Sequence, residues 1–212
     1  MTTTAWWLIA ATVVIALVDW FAVATERKLL EYVAKPATMI PLIGAAATLT
    51  PQHAAMRPWF VAALVFSLAG DVFLMLPNPK MFVPGLGSFL VGHVLYIIGF
   101  FHAHLSPGWL FIGGVVVFVL VLSIGPTVVK GASEVDKVLG LPVLVYMLTI
   151  SVMVTCSFGS SSATAMYGAV LFYLSDLCIG WSRFVKDFTN SRMAIIVTYH
   201  VAQILLVVSL AR

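Results

Sequence analysis

The chain has 212 residues, of which 62% are hydrophobic and 9% charged, with a formal net charge of +3. So little charge cannot coat a water-soluble globule of this size, which excludes an ordinary soluble enzyme and leaves an integral membrane protein. The basic residues are scattered over short connections rather than gathered into a stripe, so the positive balance speaks for membrane topology and not for nucleic-acid binding.

Eight apolar stretches of spanning length follow one another, at about 5–24, 36–50, 59–76, 82–101, 108–125, 138–157, 163–181 and 193–211. The first carries Trp6 and Trp7 at its start and Asp19 and Trp20 near its end. It lacks the basic flank and small-residue cleavage site of a signal peptide, so it reads as a spanning helix. Lys35-Pro36 opens the second, with Lys35 capping its inner end. The third contains Gly70-Asp71, and the fourth contains His93 and Tyr96 before ending in His102-Ala103-His104. The fifth holds Gly113-Gly114, and with Gly85 and Gly87 this pair permits close helix contacts without specifying a dimer. Tyr146 and Cys156 lie in the sixth, Ser175-Asp176 and Cys178 in the seventh, and Tyr199, His200 and Gln203 in the eighth. No connection is long enough to form a separate domain. The expectation is one all-α transmembrane domain over 1–212, a polytopic bundle of eight helices.

Orientation follows from the basic residues, which are retained on the cytoplasmic side of spanning helices. Arg27, Lys28, Lys35, Lys80, Lys130, Lys137, Arg183, Lys186 and Arg192 all fall at the ends joined by connections 1–2, 3–4, 5–6 and 7–8, leaving Arg57 and Arg212 for the opposite side. Both termini are therefore expected outside. Trp6, Trp7, Trp59 and Trp109 then mark outer borders, and Trp20 and Trp181 inner ones.

The expected helix ends put Asp71 and Asp176 each five residues from an inner end, roughly 7 to 8 Å beneath the cytoplasmic interface at about 1.5 Å per residue. Carboxyl groups in a membrane helix cost roughly 2.5 to 3.5 kcal/mol and normally mark function. With Asp19, Lys35, His93, Tyr146, Tyr199 and Gln203 also in the inner half, a polar cavity open to the cytoplasmic side is expected. A faint echo pairs Asp71 and Gly92-His93-Val94-Leu95-Tyr96 with Asp176 and Tyr199-His200-Val201-Ala202-Gln203. Two parallel four-helix repeats would bring both aspartates to one depth across a shared cavity, although chance similarity rivals that reading.

Lys35-Pro36, Ser67-x-x-Gly70-Asp71, Phe82-x-x-Gly85-x-x-x-Phe89-x-x-Gly92-His93-x-x-Tyr96, Gly168-Ala169-x-Leu171-Phe172-x-x-Ser175-Asp176 and Tyr199-x-x-Ala202-Gln203-x-Leu205 resemble, in order and spacing, the YhhN family of eight-helix membrane proteins. The resemblance covers about residues 30 to 206. Animal members of that family are lysoplasmalogenases, so it implies hydrolysis of the sn-1 vinyl ether of a lysoplasmalogen. The products are a fatty aldehyde and glycerophosphoethanolamine or glycerophosphocholine. It also implies a lysophospholipid substrate drawn from the bilayer; no cofactor is expected, and the charge-derived orientation with the depth of the aspartates puts the site toward the cytoplasmic leaflet of a bacterial inner (plasma) membrane.

Vinyl ether hydrolysis needs an acid to protonate the outer alkene carbon and a base to stabilise the oxocarbenium ion that follows. Two carboxyl groups in contrasting surroundings meet that need, as they do at glycosidic centres. Asp71 and Asp176 are the candidates, and the sequence leaves open which is the acid. Gly70 allows close approach beside Asp71, and Ser175 is placed to hydrogen-bond near Asp176. Lys35, with Arg183 or Lys186, is the candidate phosphate receptor, while His93, Tyr96, Tyr146, Tyr199 and Gln203 are candidates to orient water or a carboxylate.

Each has a plainer reading: a paired structural carboxylate, a snorkelling Lys35, an interhelical hydrogen bond. Asp19 either joins the cavity or pairs with Lys28, and His200 faces away as a structural residue. His102 and His104, without acidic or Cys neighbours, are a weak metal signal, and no metal is expected. A proton-coupled transporter and a non-catalytic lipid-binding protein remain the alternatives, the former weakened by nearly apolar outer halves.

Overall fold

Eight long helices make up most of the chain in the computed structural model, which describes residues 1–211. They are α1 (Thr3–Ala24), α2 (Lys28–Thr48), α3 (Arg57–Met75), α4 (Phe82–Phe101), α5 (Pro107–Val135), α6 (Gly140–Gly159), α7 (Ala163–Phe184) and α8 (Ser191–Val208). Single 3-10 turns, Ala54–Met56 and Pro79–Met81, lead into α3 and α4. Among the described residues, 7 helices are long and apolar enough to cross a membrane, and α2 is the one that falls short. Lys28, Glu31 and Lys35 in its first half dilute its apolar stretch.

The two largest departures from the expected boundaries both involve proline. α2 starts at Lys28 and runs through Pro36, so Lys35 lies two turns inside the helix instead of capping its end. Pro36 gives up the backbone bond to the Tyr32 carbonyl and Pro41 the one to the Ala37 carbonyl, losses that membrane helices tolerate when their neighbours hold them. α5 likewise passes through Pro126 and reaches 29 residues, about 43 Å against a hydrocarbon core of about 30 Å. Its extension carries an exposed Lys130–Glu134 ion pair, so Lys130 stands on a helix and not in a connection.

Glycines set the closest helix contacts. Gly85, Gly92 and Gly99 recur every seven residues on one face of α4, and that face meets α3. A Cβ at Gly85 would fall 2.6 Å from Leu74, and one at Gly99 would fall 2.7 Å from the Phe60 ring. Gly70 of α3 is filled from the other side, since a Cβ there would lie 2.6 Å from the Phe89 ring. Its small size therefore serves packing, and the expected approach of a substrate beside Asp71 has no room there. Gly168 plays the same part between α7 and α8, against the Ala202 carbonyl at 3.0 Å. The result is four tightly packed hairpins, α1/α2, α3/α4, α5/α6 and α7/α8, while α4 and α7 meet through long side chains rather than by close backbone approach.

Hydrogen bonds gather one end of the bundle. Thr2 Oγ1 donates to the Thr48 carbonyl at 3.1 Å, and the Gln52 N–H to the Leu210 carbonyl at 2.8 Å. The Arg57 side chain donates to the Leu49 carbonyl at that same end, and Arg212 lies outside the described residues. Most of the basic residues sit at the opposite end, where Arg192 of α8 holds Glu31 of α2 at 2.5 Å. Val13, Val14, Leu17, Phe111, Phe118 and Leu122 are exposed on the flanks, as side chains facing lipid tails would be.

Candidate active site

Asp176 stands on α7 at the wall of a largely apolar cleft formed with Phe89, Tyr146, Ile150, Tyr173 and Leu177. Tyr146 OH donates to Asp176 Oδ2 at 2.6 Å, and His93 Nε2 lies 3.2 Å from the same oxygen. His93 Nδ1 is 2.6 Å from the Phe89 carbonyl. A carbonyl oxygen can only accept, so Nδ1 carries a hydrogen and a neutral His93 would present a bare Nε2 to the carboxyl group. The 3.2 Å contact sets this nitrogen against the same Asp176 oxygen that accepts from Tyr146. The Phe172 and Tyr146 rings, 4.8 and 5.2 Å from the imidazole, fix its plane.

Asp71 belongs to a different cluster. It is 1% exposed, with Lys35 Nζ 3.3 Å from Oδ1 and Tyr199 OH donating to Oδ2 at 2.6 Å. Lys35 does not snorkel outward; its ammonium turns inward to this carboxylate. Asp71 does not line this cleft, and Phe172, packed 5.4 Å from Tyr199 and 4.8 Å from His93, touches both clusters. The expected polar cavity shared by two aspartates is therefore replaced by an apolar cleft that takes Asp176 alone. The physical reason lies in compensation: α2 and α8 supply Asp71 with a cation and a hydroxyl in the interior, which a second carboxylate in the same space could not do. The expected equal depth also changes, because α7 continues to Phe184 and leaves Asp176 eight residues from its end, against four for Asp71 in α3.

Tyr96 OH donates to Gln203 Oε1 at 2.6 Å, so these two candidates tie α4 to α8 away from the cleft. Ser175 Oγ donates to the Ile195 carbonyl at 3.0 Å, which ties α7 to α8 and leaves Asp176 to other partners. Arg183 borders a second, more polar hollow of about 530 Å³ at the basic end, together with Asn78. The two hollows share Leu74 and Phe82, and the Arg183 guanidinium carbon sits 3.8 Å from the Phe82 ring centroid. Among the described residues no three His, Cys, Asp or Glu side chains converge to hold a metal, and Cys156 and Cys178 are free.

Two features were not legible beforehand. Trp20 Nε1 donates to His200 Nδ1 at 3.1 Å, which leaves His200 Nε2 4.0 Å from a fully buried Asp19. Asp19 thus faces His200, and neither Lys28 nor a cavity. Tyr173 and Gly180 also line the cleft; the signal for Gly180 was its position four residues after Asp176, on the same helix face.

The YhhN family model matches residues 30–210. Lysoplasmalogenase TMEM86B of Homo sapiens is 32% identical over 150 residues, covering 71% of this chain and 62% of that protein. A lysoplasmalogenase of Mycobacterium tuberculosis is 34% identical over 179 residues, covering 80% of this chain and 66% of that protein. Lysoplasmalogenase TMEM86A of Bos taurus is 31% identical over 156 residues, 69% of this chain and 62% of its own length. The chain thus matches less than two thirds of the length of these relatives. No solved structure matches it.

Proposed function

The chain belongs to the YhhN family, and on that premise we propose that it is a membrane-embedded lysoplasmalogenase-like hydrolase. Its substrate on this reading is a lysophospholipid carrying an sn-1 vinyl ether. Its products are a fatty aldehyde and glycerophosphoethanolamine or glycerophosphocholine, formed without a cofactor. The observation that carries the reading is the placement of Asp176 at the wall of an apolar cleft, bonded by Tyr146 and faced by His93 Nε2.

In this scheme Asp176 is the acid. It delivers the proton to the outer alkene carbon, and the carboxylate left behind, steadied by Tyr146 and the His93 ring, faces the oxocarbenium ion. Water adds to the cationic carbon and returns a proton to the His93–Asp176 couple. The hemiacetal then breaks its bond to the glycerol oxygen, releasing aldehyde and alcohol. Asp71, ion-paired with Lys35 and bonded by Tyr199, acts one layer behind the cleft by fixing Tyr199 against Phe89 and Phe172. This divides the two carboxylates between acid and scaffold in place of an acid–base pair across one cavity.

The basic end is the cytoplasmic one on this reading, with both termini outside and the substrate drawn from the inner leaflet of a bacterial plasma membrane. A four-plus-four repeat is carried by one contact only, because His93 of α4 reaches Asp176 of α7 while its counterpart His200 faces Asp19 and leaves Asp71 to Tyr199. Tyr96 and Gln203, at equivalent places in the two halves, bond to each other.

Hydrolysis in deuterium oxide tests the chemistry. Carbon protonation puts one deuteron on the carbon next to the aldehyde carbonyl. Aldehyde released without that deuteron, or no aldehyde at all, would overturn the scheme.

A further inference from the structure

Arg183 follows Asp176 by seven residues on α7, nearly two full turns. The two side chains therefore leave one helix face about 10 to 11 Å apart along the axis. Gly180 lies between them and lines the same cleft, while Arg183 borders the second hollow, which shares Leu74 and Phe82 with the first. A Cβ at Gly180 would already press on Val128 at 3.2 Å. Stacking on Phe82 holds the Arg183 fork by its face and leaves its N–H edge available. No carboxylate pairs with it among the described residues, whereas Lys35 is held by Asp71, Arg192 by Glu31 and Lys130 by Glu134. Lys186 is exposed and lines neither hollow.

Resting on the hydrolase reading above, we propose that Arg183 is the seat of the substrate's phosphate and that α7 measures the distance from headgroup to scissile bond. In a lysoplasmalogen, seven bonds separate the outer alkene carbon from phosphorus. Three bonds of an extended chain span about 3.3 to 3.6 Å, so seven span roughly 8 Å. Contacts of about 3 Å at each end and the reach of the two side chains add to this length, which is of the order of the 10 to 11 Å of helix rise between positions 176 and 183. The polar hollow beside Asn78 takes the phosphodiester, and the hydrocarbon follows the apolar cleft past Ile150 and Tyr173. An alkenyl glycerol without phosphate fits the cleft but has nothing to give Arg183. The seat therefore selects lysophospholipids, by their anionic phosphodiester, over ether lipids that lack a phosphate.

The test uses saturated ether ligands, which bind without reacting: a 1-O-alkyl lysoglycerophosphoethanolamine and the 1-O-alkylglycerol of equal chain length. Dissociation constants are measured on the purified full chain as wild type, Arg183→Gln, Arg183→Lys and Lys186→Gln. Arg183→Gln should weaken the phospholipid about tenfold or more and leave the alkylglycerol unchanged. Arg183→Lys should fall between, and Lys186→Gln should match wild type for both ligands. Free glycerophosphoethanolamine and inorganic phosphate serve as competitors. Competition by the former alone identifies a headgroup seat, and equal competition by inorganic phosphate shows a general anion site and overturns the measured-distance proposal. Unchanged phospholipid affinity in Arg183→Gln, or equal weakening of both ligands, overturns it as well. Because these ligands lack the vinyl ether, selective binding without aldehyde release from an alkenyl substrate would sink the hydrolase and leave the seat standing.

Discussion

Removing one partner of the Lys35–Asp71 pair exposes how the interior tolerates its charge. Asp71 is 1% exposed, and without Lys35 it keeps only the Tyr199 hydroxyl. Breaking a buried pair by deleting one ion costs about 3 to 5 kcal/mol, which sets the loss for Lys35→Met. Asp71→Asn should cost less, about 1 to 2 kcal/mol: its amide oxygen still accepts from Tyr199, and the Lys35 chain, at 16% exposure, can extend toward the basic end. The double variant leaves no charge stranded and should cost no more than Asp71→Asn alone, giving a coupling of about 3 kcal/mol or more. At roughly 2 to 4 °C per kcal/mol for a chain of this length, Lys35→Met should melt about 6 to 20 °C below wild type and the double variant well above Lys35→Met. Melting followed by the fluorescence of the 6 Trp residues in detergent reads this directly. A double variant whose loss equals the sum of the singles would refute the ion pair as the stabiliser of Asp71.

Tyr146→Phe removes one hydrogen bond to Asp176 and keeps the ring. Aldehyde release should fall about 10- to 100-fold with a stability change near 1 kcal/mol, and unchanged kcat in the folded variant would deny Tyr146 its part. For topology, Ala54→Cys and Lys137→Cys in a background without Cys156 and Cys178 should label from outside the cell and from the cytoplasm respectively with an impermeant reagent. The reverse pattern would invert the orientation.

The helices were legible because spanning segments are long and their connections polar. Asp71 and Asp176 stood out because a carboxyl group in an apolar run needs a partner. What the sequence hid is which partner each found. Tyr146 and Tyr199 were both visible candidates, yet only packing could send Tyr146 to Asp176 and Tyr199 to Asp71. Ser175, beside Asp176 in the chain, points to α8 because adjacent helical residues diverge by about 100°. Gly70 looked like an opening and is a socket for Phe89, since a glycine's vacancy in sequence says nothing about what fills it. Lys35-Pro36 and Gly125-Pro126 read as helix borders by local preference, and neighbouring helices carried α2 and α5 through them. Asp19 and His200 lie far apart in sequence, so no local pattern announced that they face each other.

The most direct measurement is aldehyde release from a 1-alkenyl lysoglycerophosphoethanolamine by purified wild type and by Asp176→Asn, with folding checked by monodisperse elution. The account predicts aldehyde from wild type and a loss of at least about 100-fold in the folded variant, in keeping with the removal of a general acid. Full activity in folded Asp176→Asn, or no aldehyde from folded wild type, would contradict it.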